Sequence, residues 1–173
     1  MVEVSRRGVV AAASGPGFLE IPESEPGMAV VHRLRALTVE LNLVAAEFAG
    51  ANGLHVTDLR ALIELLDAER EGLLATPGWL GERLGLGSAS ATALVDRLER
   101  LGHVQRTRDD ADRRRVLLTV TPSAKALGWA FFGPLMRRIV DATATLDDAQ
   151  LATLRDFLSA VTDAVAAGRS ARL

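Results

Sequence analysis

Arginines are the residues with the clearest chemical potential, and they concentrate between residues 88 and 115. This stretch contains seven arginines and five acidic residues, whereas the whole chain of 173 residues has a formal net charge of -2. A guanidinium group binds a phosphate through two parallel hydrogen bonds and fits a narrow minor groove. Because the chain is slightly acidic overall, any contact with nucleic acid must come from this local patch. The alternative is a solvated hairpin tip in which Asp112 pairs with Arg113 or Arg114.

Small and hydroxyl-bearing residues directly precede these arginines, at the start of a predicted helix. They lie opposite the apolar positions of that helix, which we expect to face the core and which are Ala91, Leu94, Val95, Leu98 and Leu101. Small side chains allow a helix to approach base edges closely, and hydroxyl groups can bond either donors or acceptors there. With the charged residues that follow, they form the predicted DNA-binding set: Ser88, Ala89, Ser90, Thr92, Ala93, Arg97, Arg106, Arg108, Asp112, Arg113 and Arg114.

Catalytic and metal-binding chemistry finds little support in the sequence. The chain has no cysteine, which excludes disulfides, thiolate metal sites and thiol-based redox sensing within it. Its three histidines, His32, His55 and His103, are far apart and outside any zinc-binding, nucleophile-elbow or phosphate-loop motif. Glu64 and Asp67 share a helix face, but a solvated surface accounts for them better than a catalytic pair. We therefore predict that the protein is not an enzyme and needs no cofactor or metal.

Composition also bears on location and domain organisation. No apolar run approaches the roughly 20 residues that span a bilayer, so we expect a cytoplasmic protein without a membrane partner. Residues 1–27 mix Gly, Pro, Ser and Glu without a regular period, which predicts a flexible N-terminal arm. We expect residues 28–173 to form a single domain, because this length suits one hydrophobic core.

Apolar residues at intervals of three and four predict helices along most of this domain, and N-capping residues mark their starts. The predicted helices run from Met28 to about Ala49, from a cap at Thr57, from Thr76-Pro77, from Ser88 to Leu101, from Thr121-Pro122 to about Ala144, and from a cap at Asp147. Branched residues at 103–107 and 115–120 predict two short strands joined by a charged tip. The predicted fold class is mainly α with a small β-hairpin.

The order of these elements is more informative than any one of them. A short helix, a turn containing Gly85 and Gly87, a second helix and a hairpin with a charged tip make up a winged helix-turn-helix. The major groove is about 12 Å wide and admits one helix, which a crossing helix must hold from behind. We therefore predict that the helix from Ser88 is a recognition helix and that residues 108–115 are the wing.

Three segments resemble the MarR family of bacterial regulators in sequence and spacing. Residues 92–106 (TALVDRLERLGHVQR), 109–114 (DDADRR) and 118–122 (LTVTP) are similar to the family's recognition helix, wing and wing exit. Three positions depart from the residues common in the family, namely Asp110 in place of proline, Ala124 in place of glycine and His103 in place of a larger apolar residue. The resemblance implies that Arg113 or Arg114 reaches a minor groove while Asp112 steadies the wing.

The same resemblance implies how the whole protein is organised. It implies a triangular homodimer in which the N-terminal helix and the last two helices of each subunit interlock. Residues 28–50 and 122–167 are then the dimerisation helices, and residues 54–120 are the DNA-binding lobe. Both recognition helices are presented to a pseudo-palindromic DNA operator.

The resemblance further implies a pocket between the dimerisation helices and the DNA-binding lobe. In the family, a small aromatic or phenolic effector often binds there and lowers the affinity for DNA. The sequence does not indicate which residues line such a pocket, although His32, Arg35 and Trp129 are available. Such a ligand has to act by favouring one spacing of the two recognition helices.

The helix that follows Pro122 supports dimerisation without reference to the family. Its large apolar residues cover more of its surface than one small domain can bury, which indicates a contact between subunits. They are Leu127, Trp129, Phe131, Phe132, Leu135, Met136, Ile139 and Val140. The alternative is that these residues belong to an ordinary core.

Together these inferences predict a sequence-specific, double-stranded DNA-binding transcription regulator. We expect a repressor that binds its operator as a homodimer, with half-sites about one helical turn apart. The alternative function is a winged-helix module that binds another protein and does not read DNA. A steep loss of DNA affinity with rising salt distinguishes the first function from the second.

Overall fold

The computed structural model describes residues 25–170, which contain six α-helices and one two-stranded antiparallel hairpin. The elements are α1 (Met28–Ala51), α2 (Val56–Arg70), α3 (Pro77–Leu84), α4 (Ser88–Arg100), β1 (Val104–Arg108), β2 (Val116–Val120), α5 (Pro122–Ala142) and α6 (Asp148–Ser170). The predicted class, mainly α with a small hairpin, is confirmed. The predicted arm, residues 1–27, lies outside the described residues except for its last three.

The chain divides into two compact units between Val44 and Ala45. The described part of the first unit is residues 25–44, which include most of α1 and expose several large apolar side chains. These are Val30, Val31, Leu37, Val39, Leu41 and Leu43. The second unit contains the last turns of α1 and all the other elements.

Local capping sets most of the helix starts. The Thr76 hydroxyl accepts the N–H of Trp79 at 3.2 Å, and the Thr121 hydroxyl accepts the N–H of Ala124 at 3.3 Å. Each of these caps is followed by a proline at the first helical position, as predicted. Asp147 and Gln150 form a reciprocal pair of hydrogen bonds at the start of α6, which confirms the last predicted cap.

The predicted cap of α2 at Thr57 is wrong. The helix begins at Val56 and its N-cap is His55, two residues earlier than expected. The carboxylate of Asp58 accepts the backbone N–H of His55 at 2.9 Å, so a side chain inside the first turn satisfies the capping donor. A hydroxyl at position 57 is therefore not needed for this role.

The hydrophobic core of the second unit lies among the end of α1, helices α2 to α4 and the hairpin. Leu80, Val95 and Leu98 are completely inaccessible to solvent. Around them pack Phe48, Leu54, Leu59, Leu62, Leu65, Leu94, Val104, Leu118 and Val120. The prediction that Leu101 also faces the core is wrong, because its side chain is 44% exposed. Leu101 follows the last residue of α4, where Gly102, at a φ of 73°, turns the chain towards β1.

The hairpin pairs Val104 with Val120 at its base and Arg108 with Val116 near its tip. These strands begin and end within one residue of the predicted ranges. The backbone N–H of Leu118 donates to the carbonyl of Ala75 at 2.8 Å, which ties the hairpin to the segment between α2 and α3. The middle of the hairpin is therefore anchored to the helical part of the second unit.

Helix α5 has no buried residue among its 21 positions. Phe131 and Phe132 pack partly against Phe48, with ring centroids 5.1 and 4.9 Å from it. Leu135 is also partly buried, whereas Leu127, Trp129, Met136, Ile139 and Val140 are exposed, Trp129 by 70%. Among the helices of residues 25–170, none combines the length and apolar character that a bilayer-spanning segment requires.

Candidate nucleic-acid interface

The crossing of α3 and α4 depends on two glycines. Gly85 adopts a left-handed conformation with a φ of 67°, which favours glycine and lets the chain reverse after α3. At Gly81, an added Cβ would lie 3.1 Å from the Cβ of Ala91 and 3.3 Å from the carbonyl oxygen of Leu86. The two helices therefore approach each other closely at Gly81, and α3 supports α4 from behind.

The outer side of α4 carries the small residues that the sequence singled out. Ala91, Leu94, Val95 and Leu98 are buried, whereas the predicted contact residues Ser88, Ala89, Ser90, Thr92 and Ala93 are exposed. The N-cap is Gly87, which has no side chain to bond the first N–H groups of the helix. These donors, at the positive end of the helix dipole, remain available to an anion.

A shallow depression of about 390 Å³ adjoins this surface. Ser90, Ala93 and Arg97 line it from α4, and His55 and Thr57 line it from the start of α2. The hydroxyl of Thr92 donates to the carbonyl of Ser88 at 2.9 Å, which leaves its oxygen free to accept a further hydrogen bond. The surface thus offers backbone donors and hydroxyl groups without bulky side chains.

Asp109 organises the tip of the wing. Its carboxylate accepts hydrogen bonds from the backbone N–H of Ala111 at 3.0 Å and from the Nε of Arg115 at 2.7 Å. The backbone N–H of Asp109 donates to the carbonyl of Arg115. The backbone hydrogen bond from Ala111 and the adjacent Arg115 guanidinium hold the pKa of Asp109 below its usual value. Asp112 accepts the N–H of Arg114 at 3.0 Å, so backbone donors and carboxylates together define the turn.

Three wing arginines remain available for an external partner. Arg108, Arg113 and Arg114 are exposed, and none forms an ion pair within residues 25–170. Asp112 is also exposed and bonds a backbone N–H rather than a guanidinium. The alternative of a tip in which Asp112 pairs with Arg113 or Arg114 is therefore not what this part of the chain adopts.

The two other predicted DNA-binding arginines contact the protein itself. Arg97 donates from Nε to both carboxylate oxygens of Asp58 at 3.1 Å, and from Nη2 to Oδ1 at 2.5 Å. Its side chain is 32% exposed, whereas that of Asp58 is completely buried. This ion pair joins the middle of α4 to the first turn of α2.

Arg106, on β1, binds two carboxylates of α4. Its Nη2 donates to Asp96 at 2.5 Å, and its Nη1 pairs with Glu99. Partial burial on its own lowers the pKa of Arg106, but the hydrogen bonds to Asp96 and Glu99 raise it above the ordinary value. This guanidinium therefore ties the hairpin to α4.

Asp58, the buried partner of Arg97, was not among the residues predicted from the sequence. It occupies the buried side of α2, directly before Leu59 and four residues before Leu62, where apolar residues are expected. A charged residue is seldom fully buried unless it is paired. An acidic residue within a buried stripe is therefore a readable signal that a basic partner lies elsewhere in the chain.

The pair of carboxylates on α2 shows no sign of acid-base chemistry. Glu64 accepts a hydrogen bond from Arg83 at 2.7 Å, which raises the pKa of Arg83, and Asp67 pairs with Arg70 at 3.1 Å. Within the described residues, no three His, Asp or Glu side chains lie close enough together to hold a metal ion.

A supported helix with an exposed face of small residues, followed by an arginine-bearing hairpin, defines the winged helix-turn-helix class. A family model described as MarR family matches residues 52–115. An uncharacterised HTH-type transcriptional regulator of Bacillus subtilis strain 168, YcgE, is 34% identical over 140 residues, which are 81% of this chain and 88% of that protein. The chain belongs to the MarR family, and it is a transcriptional regulator rather than an enzyme.

Solved structures show the same fold at lower sequence identity. A point mutant of MepR from a multidrug-resistant S. aureus clinical isolate has a TM-score of 0.65 at 17% identity, covering 79% of this chain and 96% of that one. The S. aureus MepR–DNA complex has a TM-score of 0.52 at 17% identity, covering 78% and 97%. The likeness confirms the predicted winged-helix architecture.

Proposed function

We propose that this protein is a sequence-specific regulator that inserts α4 into the major groove and places its wing against the adjacent minor groove. The supporting observation is the exposed, small-residue start of α4 beside three unpaired wing arginines. The proposed DNA contacts are Ser88, Ala89, Ser90, Thr92 and Ala93 on α4, with Arg108, Arg113 and Arg114 on the wing. Asp112 steadies the wing turn through the backbone of Arg114.

The two parts of this surface do different work. The uncapped start of α4 presents backbone N–H groups that bind phosphate, and the small side chains allow the hydroxyl groups to reach base edges. Arginines on the wing bind phosphates and suit a narrow minor groove, where the negative potential is strongest. The helix therefore supplies the reading of base pairs, and the wing supplies most of the electrostatic affinity.

We further propose that the protein acts as a homodimer and a repressor. Exposed apolar residues on α1, α5 and α6 support this, since a monomer seldom exposes such large apolar surfaces. Residues 28–50 and 122–167 are then the dimerisation helices, and residues 54–120 the DNA-binding lobe. A two-fold dimer places its recognition helices in successive major grooves about 34 Å apart, on a pseudo-palindromic operator. Because genomic DNA is the proposed partner, we place the protein in the cytoplasm.

An apolar cavity supports regulation by a small effector. The cavity has a volume of about 410 Å³ and lies among α2, α5 and the end of α1. Its lining includes Phe48, Leu59, Leu62, Ile63, Leu66, Trp129, Phe132 and Met136. Lys125 is the one charged lining residue, and Glu69 already binds its ammonium group at 2.6 Å. A neutral aromatic molecule, or a phenol in its uncharged form, fits this lining better than a free carboxylate does.

DNA binding is tested by fluorescence anisotropy with duplexes from the region upstream of the protein's own gene. If DNA is the partner, the logarithm of the association constant should fall with the logarithm of salt concentration, by about 0.9 per neutralised phosphate. Arg113→Ala should weaken binding by about 1–3 kcal/mol. The control, Arg70→Ala, removes an exposed arginine at the end of α2, outside the proposed DNA contacts and dimerisation helices, and should leave the affinity unchanged. Absence of binding at low salt would favour a winged-helix module that recognises another protein.

A further inference from the structure

We propose that Arg97 and Arg106 are positioning residues that hold α4 in the position and orientation that DNA binding requires, and that neither contacts DNA. This inference rests on the proposed DNA-binding function. Both arginines lie in or next to the recognition helix, where a basic residue is ordinarily taken for a phosphate contact. Their hydrogen bonds instead lead to carboxylates of the protein.

The Asp58–Arg97 pair fixes α4 to α2. Asp58 accepts three donor contacts from Arg97 and the N–H of His55, so its two oxygens are fully used. A buried carboxylate that loses its partner is strongly unfavourable. Arg97 therefore cannot leave Asp58 to bind a phosphate without leaving an uncompensated charge inside the lobe.

Arg106 performs a second task, because it neutralises acidic groups on the DNA-facing helix. Asp96 and Glu99 are both exposed on α4, and without a partner they would repel the phosphates of the duplex. Arg106 pairs with both of them from β1. The same contacts connect the recognition helix to the base of the wing, so α4 and the hairpin approach DNA as one piece.

The two arginines thus hold α4 from two different elements, α2 and β1. A binding surface has to be kept within about 0.5 Å of its productive geometry by side chains that support it. The arginines proposed to touch DNA, Arg108, Arg113 and Arg114, form no ion pair within the described residues, and they contrast with Arg97 and Arg106 in this respect.

The first test replaces the buried pair and measures operator affinity and its salt dependence. Arg97→Met alone leaves Asp58 unpaired, and we expect it to weaken binding by about tenfold or more. The double variant Asp58→Asn/Arg97→Met removes the buried charge and keeps an oxygen that can accept the N–H of His55. We expect the double variant to recover only part of this loss, because no unpaired carboxylate stays buried but α4 has lost its link to α2, and to keep the wild-type salt slope, because no phosphate contact is removed.

Arg113→Met is the matched control for this experiment. It makes the same substitution at an arginine proposed to contact DNA, and it should lower both the affinity and the salt slope, by about 0.9. A double variant that unfolds cooperatively, yet binds weakly with a similarly reduced slope, would show that Arg97 contacts a phosphate and would overturn the proposal for this residue.

The second test uses exposed residues, so that it does not depend on replacing a buried pair. Arg106→Met is made in the wild type and in an Asp96→Asn/Glu99→Gln background. If Arg106 neutralises these acids, its loss should weaken DNA binding about tenfold in the wild type and less than about twofold in the neutral background. Equal losses in both backgrounds would mean that Arg106 contacts DNA directly.

These outcomes are separate from the failure of the proposed function. A wild-type protein that binds no duplex would reject DNA binding itself. A wild-type protein that binds a duplex, combined with unrescued variants, would reject only the positioning role of Arg97 and Arg106.

Discussion

Two parts of the second unit use their side chains in opposite ways. The proposed DNA-binding lobe, residues 54–120, buries a continuous set of apolar residues together with Phe48 and Ala49 of α1, and it pairs its buried Asp58 internally. Helix α5, by contrast, buries no residue completely, and both α5 and α6 leave large apolar side chains exposed. The lobe is therefore complete as a folded body, whereas α5 and α6 have the surface of elements that await a partner. If the proposed homodimer forms, the structure proposed to read DNA is separate from the structure that sets the distance between the two DNA-binding lobes.

The largest loss of folding stability should come from a substitution in the core of the lobe. Leu98 has no solvent exposure, so Leu98→Ala should lower the free energy of unfolding by about 2–5 kcal/mol. Leu101→Ala, a matched change three residues later at an exposed position, should cost less than about 1 kcal/mol. Urea unfolding measures both values. Similar losses at the two positions would mean that the core extends past Leu98.

A charge on α5 tests whether its exposed face is a subunit interface. Ile139→Asp places an unpaired carboxylate in the proposed interface, which should raise the dissociation constant of the dimer by about a hundredfold or more. The control is Leu73→Asp, because Leu73 in the lobe is about as exposed as Ile139, at 50% against 45%. Sedimentation equilibrium should show that Ile139→Asp is monomeric, whereas the wild type and Leu73→Asp are dimeric. A wild type that is monomeric, or an Ile139→Asp variant that remains dimeric, would contradict the assignment of this face.

A substitution at Thr121, where the hairpin meets α5, should have a smaller effect on folding stability. Thr121 caps α5, and its hydroxyl also donates to the carbonyl of Gly102 at 2.7 Å. Thr121→Ala should therefore cost about 1 kcal/mol of folding free energy, as a shift of the thermal midpoint would show. Thr121→Ser keeps the hydroxyl and should restore most of the loss. Equal midpoints for the alanine variant and the wild type would indicate that Pro122 is enough to start the helix.

The smallest effect should be the loss of stability of the wing at low pH. The pKa of Asp109 is lowered in the folded protein. Its ionised form therefore stabilises the wing at pH values above the ordinary aspartate pKa of about 3.9. That contribution is lost as the pH falls through the lowered pKa. Carbon-detected NMR titration should find the Asp109 midpoint below the ordinary value for an aspartate, and Arg115→Gln should raise it. An unshifted midpoint would mean that the turn is not ordered around this carboxylate.

Much of the fold was predictable because its signals are local. The caps at Thr76, Thr121 and Asp147 are each decided within four residues, and the structure confirms them. The order of helix, turn, helix and hairpin follows from a change of apolar period, which is also local. The two errors occur where competing groups intervene: the N-cap of α2 is His55, whose N–H donates to Asp58, instead of Thr57, and the turn at Gly102 ends the buried stripe before Leu101.

The candidate site was predictable only in part. The exposure of Ser88, Ser90 and Thr92 follows from helical spacing, since it is the complement of the buried stripe. The partners of the arginines do not follow from spacing, because Asp58 is 39 residues away from Arg97 along the chain. Arg97 and Arg113 look equivalent in the sequence. Only the tertiary structure shows that Arg97 has an ion-pair partner within residues 25–170 and that Arg113 does not.

The sequence by itself determined the family, the winged-helix order and the face of small residues on the recognition helix, because periodicity, caps and motifs are interactions between near neighbours. The tertiary structure alone decided which basic groups are occupied within the protein and which stay available for DNA. The physical reason is that a buried carboxylate such as Asp58 requires a partner, and only the folded chain brings one within hydrogen-bonding distance.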